Sequence, residues 1–423
     1  MQEQLLHFIW QRKLFNHTDL LTTRGQRVEI LHPGFPNQDQ GPDFLQARIR
    51  IDEHVWAGHV EIHICSSAWF LHTHDKDLHY NNVILHVVWQ EDQPARTFEG
   101  TRIACVELKD RIDHNLLTRY AGLMNNQEWV PCASALDSVK DIIKTSWLER
   151  LMSERLERKT EMLQQILKAC NDHYEQAFFV LLARHLGSPA NSDPMENLGL
   201  KTSLNILKKH GDRIDQIEAI LFGTAGMLTK EFQSGYPASL KREFDFLKVK
   251  YGLSIIPALQ WKFMRMRPAH FPTIRIAQLA MMISGMPHFI TLLNEIQNAE
   301  MWIRKFMVKP DNDYWDIHYH FKSVSSYSEK RLGRETAISL VINVVVPFMF
   351  FYGKMQGLNN LKEKALRLMS ELPAERNAII KGWDKNNWKA NDAGESQALI
   401  HLKKNYCDAR RCLHCAIGLQ LLK

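Results

Sequence analysis

The chain has 423 residues, a net charge of +6, 45% hydrophobic and 24% charged residues. That balance is ordinary for a globular protein: it excludes a disordered, collagen-like or coiled-coil chain, and the length allows two or three domains. Seven cysteines, an odd number, exclude a secreted disulfide scaffold and lead to the expectation of a reducing, cytoplasmic setting.

The opening stretch, Gln2–Phe15, carries Leu5, Phe8, Ile9 and Phe15 at helical spacing and predicts an amphipathic helix. It has no basic segment followed by an apolar core, so no signal peptide is expected. Gln26–Leu31 predicts a short strand stopped by His32-Pro33-Gly34. After a Pro/Gly/Asn/Asp-rich loop, Leu45–Ile51 and Val55–Ile64 alternate apolar and polar residues, Asn82–Trp89 is apolar except for His86, and Arg102–Leu108 is a further run. These predict the strands of one sheet. From about residue 138 the periodicity becomes helical. Candidate helices are Val139–Ala169, Tyr174–Leu186, Met195–His210, Pro237–Lys250, Ile274–Ile283, Met286–Phe306, Glu335–Tyr352, Leu358–Ser370 and Ser396–Asn405. The most apolar run, Ala337–Tyr352, is 16 residues long and contains Asn343 and Pro347. A membrane span needs ~20 residues, so a buried helix is expected and no membrane partner. The fold class expected is α+β: an α/β domain over residues 1–115, a linker over 116–137 and a larger all-helical domain over 138–423.

Charge and histidine are unevenly spread. Residues 1–137 hold 12 Lys+Arg and 18 Asp+Glu, the rest 41 and 29, and ten of the 20 histidines precede residue 90. Within the acidic, His-rich segment, Asp43 stands at the entrance of one strand and Glu61 lies 18 residues later on the next. His63 follows at i+2 and shares a strand face with Glu61. Two carboxylates on adjacent strands can hold one divalent cation, which polarises a phosphodiester and acidifies bound water. His72 and His74 flank Thr73; if they converge with His63 on the carboxylates, Mn²⁺ or Zn²⁺ is expected rather than Mg²⁺.

Pro42-Asp43, then Glu61-Ile62-His63, set in the order helix, three strands, connection, strand, resembles the PD-(D/E)XK nuclease superfamily over about residues 1–110. The resemblance implies a nuclease-like core with Mg²⁺ or Mn²⁺ at Asp43 and Glu61. It also implies an assisting Glu3 on the first helix, and DNA or RNA as substrate. The departure is His63 where lysine is expected. The whole chain also resembles a bacterial family catalogued as domain of unknown function 2851. Gly41-Pro42-Asp43-Phe44, Val60-Glu61-Ile62-His63, Ser66-Ser67-Ala68-Trp69, Val83–Val88, Leu221-Phe222-Gly223, Arg267-Pro268 through Arg275-Ile276-Ala277-Gln278, and the terminal Tyr406-Cys407 through Cys412-Leu413-His414-Cys415 carry that resemblance.

Two further constellations stand out. Cys407-x4-Cys412-x2-Cys415 clusters three thiols, and Cys132 is the expected fourth ligand of a structural iron–sulfur cluster or Zn²⁺. Trp261–Gln278 interleaves Lys262, Arg265, Arg267 and Arg275 with aromatic residues, the composition of a nucleic-acid groove. The expected function is divalent-metal-dependent hydrolysis of nucleic acid. The alternatives are an inactive nucleic-acid-binding or scaffold protein on the same fold and a metal hydrolase of another substrate built on the histidines. The sequence carries no signature of an oligomeric state.

Overall fold

A computed structural model describes residues 2–37, 39–257, 260–286 and 288–423. The chain divides into two units: residues 1–144 with 404–423, and residues 145–403. The division differs from the one composition suggests. The stretch 116–137 is no bare linker but carries most of a helix, and the terminal cysteine segment belongs with the unit that holds the sheet, whose core it joins.

In the first unit, helix α1 (Glu3–Arg12) precedes six strands: β1 (Val28–His32), β2 (Phe35–Pro36), β3 (Phe44–Ile51), β4 (His54–Cys65), β5 (Val83–Gln90) and β6 (Ala104–Glu107). The short helix α2 (Ala68–Leu71) lies in the connection from β4 to β5, and α3 (His114–Asn125) follows the sheet. The sheet is open and mixed, in the order β1-β3-β4-β5-β6 with β2 also on β3. β3 and β4 pair antiparallel, whereas β5 runs parallel to both β4 and β6. A parallel neighbour demands a crossover rather than a hairpin, and the segment containing α2 supplies it.

Alternation explains which face is core. Ala47, Ile49 and Ile51 of β3 are buried while Arg48 and Arg50 are exposed. Val60 and Ile62 of β4 join Leu85, Val87 and Val106 in a core closed by Leu5, Ile9 and Trp10 of α1 and by Leu413 and Leu422. Glu61 and His63 are therefore directed to the other face. There a smaller apolar cluster of Trp69, Tyr80, Val83, Ala95 and Ile103 covers the sheet. Gly58 lets β4 and β5 approach: a Cβ there would sit 2.5 Å from the Asn82 carbonyl oxygen.

The second unit is helical. The long helix α4 (Asp141–Ala169) leads into it. The helix expected over 195–210 is two, Ser188–Lys201 and Leu204–Lys208, because Thr202 is extended. The one expected over 286–306 is also two, Phe289–Glu295 and Ala299–Phe306, with Asn298 capping the second; Pro287 lies outside the described residues. Ile214–Thr224 escaped prediction because it is buried from Ile217 onward and shows no polar face. Arg334–Met355 is long and apolar enough to cross a membrane, but 78% of its most apolar window is buried within the protein, as expected of a core helix. A π-helical segment, Val341–Val345, precedes Pro347 and accommodates the missing proline N–H.

Substituting Gly58→Ala should lower stability by about 1–3 kcal/mol, since the clash is with backbone. Urea denaturation followed by sheet-sensitive circular dichroism measures it; an unchanged midpoint would show that β5 can retreat freely.

Candidate metal centre

The site begins with a reciprocal lock between two strands. The Asp43 backbone N–H donates to Glu61 Oε2 at 3.0 Å, and the Ile62 N–H donates to Asp43 Oδ2 at 2.9 Å. Each carboxylate thus fixes the other's strand and keeps one oxygen free of these bonds. Glu61 Oε1 lies 3.2 Å from His74 Nε2 and 3.6 Å from His63 Nε2. His63 Nε2 is 3.1 Å from His72 Nδ1. The ligating atoms of His63, His72 and His74 all lie within 4.8 Å of one another. His63 is 1% exposed and Glu61 4%, while His72 reaches the surface.

The sequence builds this arrangement locally. β4 places Glu61 and His63 on one face. α2 ends at His72, and Thr73 takes a left-handed φ of 60°. That turn, unusual for a β-branched residue, lets His72 and His74 approach one site. Behind them, the His74 ring stacks on Tyr80 at 3.8 Å and meets Trp69 edge-on at 5.3 Å. Trp69 is itself held by a bond from its indole N–H to the Arg96 carbonyl. Such outer contacts fix the orientation of ligating imidazoles.

The electrostatics follow from burial. Burial raises the Glu61 carboxyl above its ordinary range, opposed by the bond to His74. Burial, then the neighbouring imidazoles of His86 and His74, push His63 down to about 2. His86, whose Nε2 is 2.9 Å from His63 Nδ1, is pushed down to about 3, again chiefly by burial. His63 is therefore neutral and cannot replace the permanent charge of the lysine that the superfamily resemblance leads one to expect. A neutral imidazole suits metal ligation instead. His7 Nε2 is 3.3 Å from Asp43 Oδ2. Burial pulls His7 down, yet the bond to Asp43 and the charges of Asp43, Glu3 and Glu61 outweigh it and hold its pKa above the ordinary histidine value. Glu3, one helical turn from His7, is raised by burial and feels Asp43, His72 and His74.

Glu3, Asp43, Glu61 and His63 thus come together. Sequence reasoning missed His7, Tyr80 and the part played by His86. The spacing of Glu3 and His7 on one helix face was the available signal. Three imidazoles with the Glu61 carboxylate beside them match Mn²⁺ or Zn²⁺ better than the all-oxygen shell that Mg²⁺ prefers.

The basic stripe divides. Lys262, Arg265 and Arg267 are exposed in the second unit, and buried Asn191 pins the Lys262 backbone through two 2.9 Å bonds. Arg275 does not belong with them. It is 4% exposed and bonds Gln278 at 2.8 Å and His270 at 2.9 Å. Its helix, Pro272–Gly285, is buried on nearly every face, so the side chain stays inside as a structural cation and has no surface from which to steer phosphates.

What the fold and site define is an α+β protein whose mixed sheet presents a buried histidine–carboxylate cluster. A family model described as protein of unknown function (DUF2851) matches residues 3–378, and the chain belongs to that family. No curated protein and no solved structure matches it.

His63 and His86 give the protein an acid sensitivity. In the unfolded chain both titrate near ~6.5; in the fold they stay neutral to about 2 and about 3. Below the unfolded value the unfolded state binds more protons, so stability is lost as pH falls and is complete above that window. Each histidine should remove about 2 kcal/mol between pH 6.5 and 5. Thermal melts of metal-free protein at pH 7 and 5 test this. His86→Asn should melt with a smaller acid shift than the wild type; an equal shift would clear His86 of the effect.

Proposed function

We infer that this protein is a divalent-metal-dependent phosphodiesterase acting on nucleic acid, with its centre at Asp43, Glu61, His63, His72 and His74. The observation that carries the reading is the reciprocal bonding of Asp43 and Glu61 beside three converging imidazoles. Further support comes from the sheet. An acidic residue enters β3, a second lies on antiparallel β4, and a crossover leads to parallel β5, the order of a PD-(D/E)XK-like core.

A bound Mn²⁺ or Zn²⁺ supplies Lewis-acid polarisation of a phosphoryl oxygen and lowers the pKa of coordinated water. The chain's own residues do the rest. Glu61, His63, His72 and His74 would hold the ion, and Asp43 holds Glu61 through its backbone. Glu3, whose carboxyl burial raises, accepts the proton of the attacking water. The water oxygen bonds to phosphorus and one P–O ester bond breaks. His7, whose pKa Asp43 raises, gives its proton to the departing oxygen. The bond between His86 Nε2 and His63 Nδ1 orders the tautomer of His63 rather than carrying charge, since burial keeps both neutral.

The test is cleavage of labelled single- and double-stranded DNA and RNA in Mn²⁺, Zn²⁺ and Mg²⁺. Wild type should cleave best in Mn²⁺ or Zn²⁺, and Glu61→Ala should fall at least about 100-fold. His7→Gln should lose rate most at high leaving-group pKa. Cleavage surviving intact in Glu61→Ala places the activity elsewhere. Binding of nucleic acid without cleavage in any metal replaces this reading with that of an inactive binding protein.

A further inference from the structure

Thiols from opposite ends of the sequence are brought into one unit. Cys132 lies in the turn after α3, and Cys407, Cys412 and Cys415 lie in residues 404–423, which belong to the same unit. Cys412 is part of this unit's main core and Cys132 packs against that core. One device ties the segments together and another shapes the terminal one. Arg410, in a left-handed conformation with φ 50°, donates to the carbonyls of Leu123 (3.2 Å), Met124 (2.8 Å) and Asn126 (2.7 Å), which close α3. The side-chain amide of Asn126 in turn donates to the Pro131 carbonyl at 3.0 Å, next to Cys132. On the other side, the Cys412 carbonyl sits against Gly418, where no Cβ fits. The Cys415 N–H donates to the Cys412 carbonyl at 3.3 Å, which bends the chain between the two thiols.

We propose that Cys132, Cys407, Cys412 and Cys415 form a second, structural metal centre whose thiolates bind zinc or an iron–sulfur cluster. Soft thiolates select these two occupants, and both take a four-thiolate set. Cys132 lies within electrostatic reach of Cys415 and Cys412, and Cys412 within reach of Cys415. His414 is exposed between two buried neighbours, and Cys407, in the same terminal segment, is assigned as the fourth thiolate. Cys65, Cys105 and Cys170 play no part in it.

The experiment is elemental analysis and visible absorption of the full chain, purified without oxygen, beside Cys132→Ser, Cys407→Ser, Cys412→Ser and Cys170→Ser. Stoichiometric zinc identifies a zinc site. Iron with acid-labile sulfide and a charge-transfer band in the visible identifies a cluster. In either case the metal should fall about tenfold or more in the first three variants and remain in Cys170→Ser. Cys407 and Cys132 are only partly buried, so their variants stay informative if Cys412→Ser fails to fold. The double variant Glu61→Ala/His74→Ala should keep this metal, which separates the result from the fate of the histidine centre. Metal retained in Cys407→Ser and Cys132→Ser overturns the proposal. So does metal-free protein that takes up neither Zn²⁺ nor iron and sulfide on reconstitution.

Discussion

The exchange of hydrogen bonds between Asp43 and Glu61 governs the first unit's chemistry. Each carboxylate accepts a backbone N–H from the other's strand. A buried carboxylate needs such partners, because burial without them costs several kcal/mol. The bonds fix where β3 enters against β4 and aim Glu61 Oε1 at the imidazoles. Every other group in the centre is placed relative to that oxygen. His74 sits 3.2 Å from it, His63 lies two residues on along the same strand face, and His7 answers the charge on Asp43. Loss of the lock would free the register at the strand end and leave each carboxylate only its histidine neighbour.

The histidines differ by depth and by neighbour. His63 and His86 are buried and held neutral. Burial also pulls His7 down, but Asp43 beside it holds its pKa above the ordinary histidine value. His72 reaches solvent. One residue type thus meets the two carboxylates in several different settings.

Much of this was legible from the residues. Alternation along Val60-Glu61-Ile62-His63 gave the strand and its polar face, and the interval from Asp43 to Glu61 gave the pairing of strands. His7 was not legible, because its role depends on how close α1 comes to Asp43, a tertiary fact. Arg275 misled because cations among aromatic residues look alike in a groove and in a buried helix; only burial tells them apart. The affiliation of Cys407–Cys415 was hidden for a similar reason. Sequence distance from Cys132 says nothing of a segment that returns to the sheet.

That return has a bearing on how the protein is made. Residues 404–423 complete the first unit's core with Leu413 and Leu422, yet they are translated after the whole of 145–403. At the usual pace of synthesis the sheet waits on the order of 10–50 s for them. During that interval the helical unit can fold as a unit, while the earlier one keeps an unfilled apolar notch that chaperones or stray strands can reach. A late segment is therefore what closes an early one.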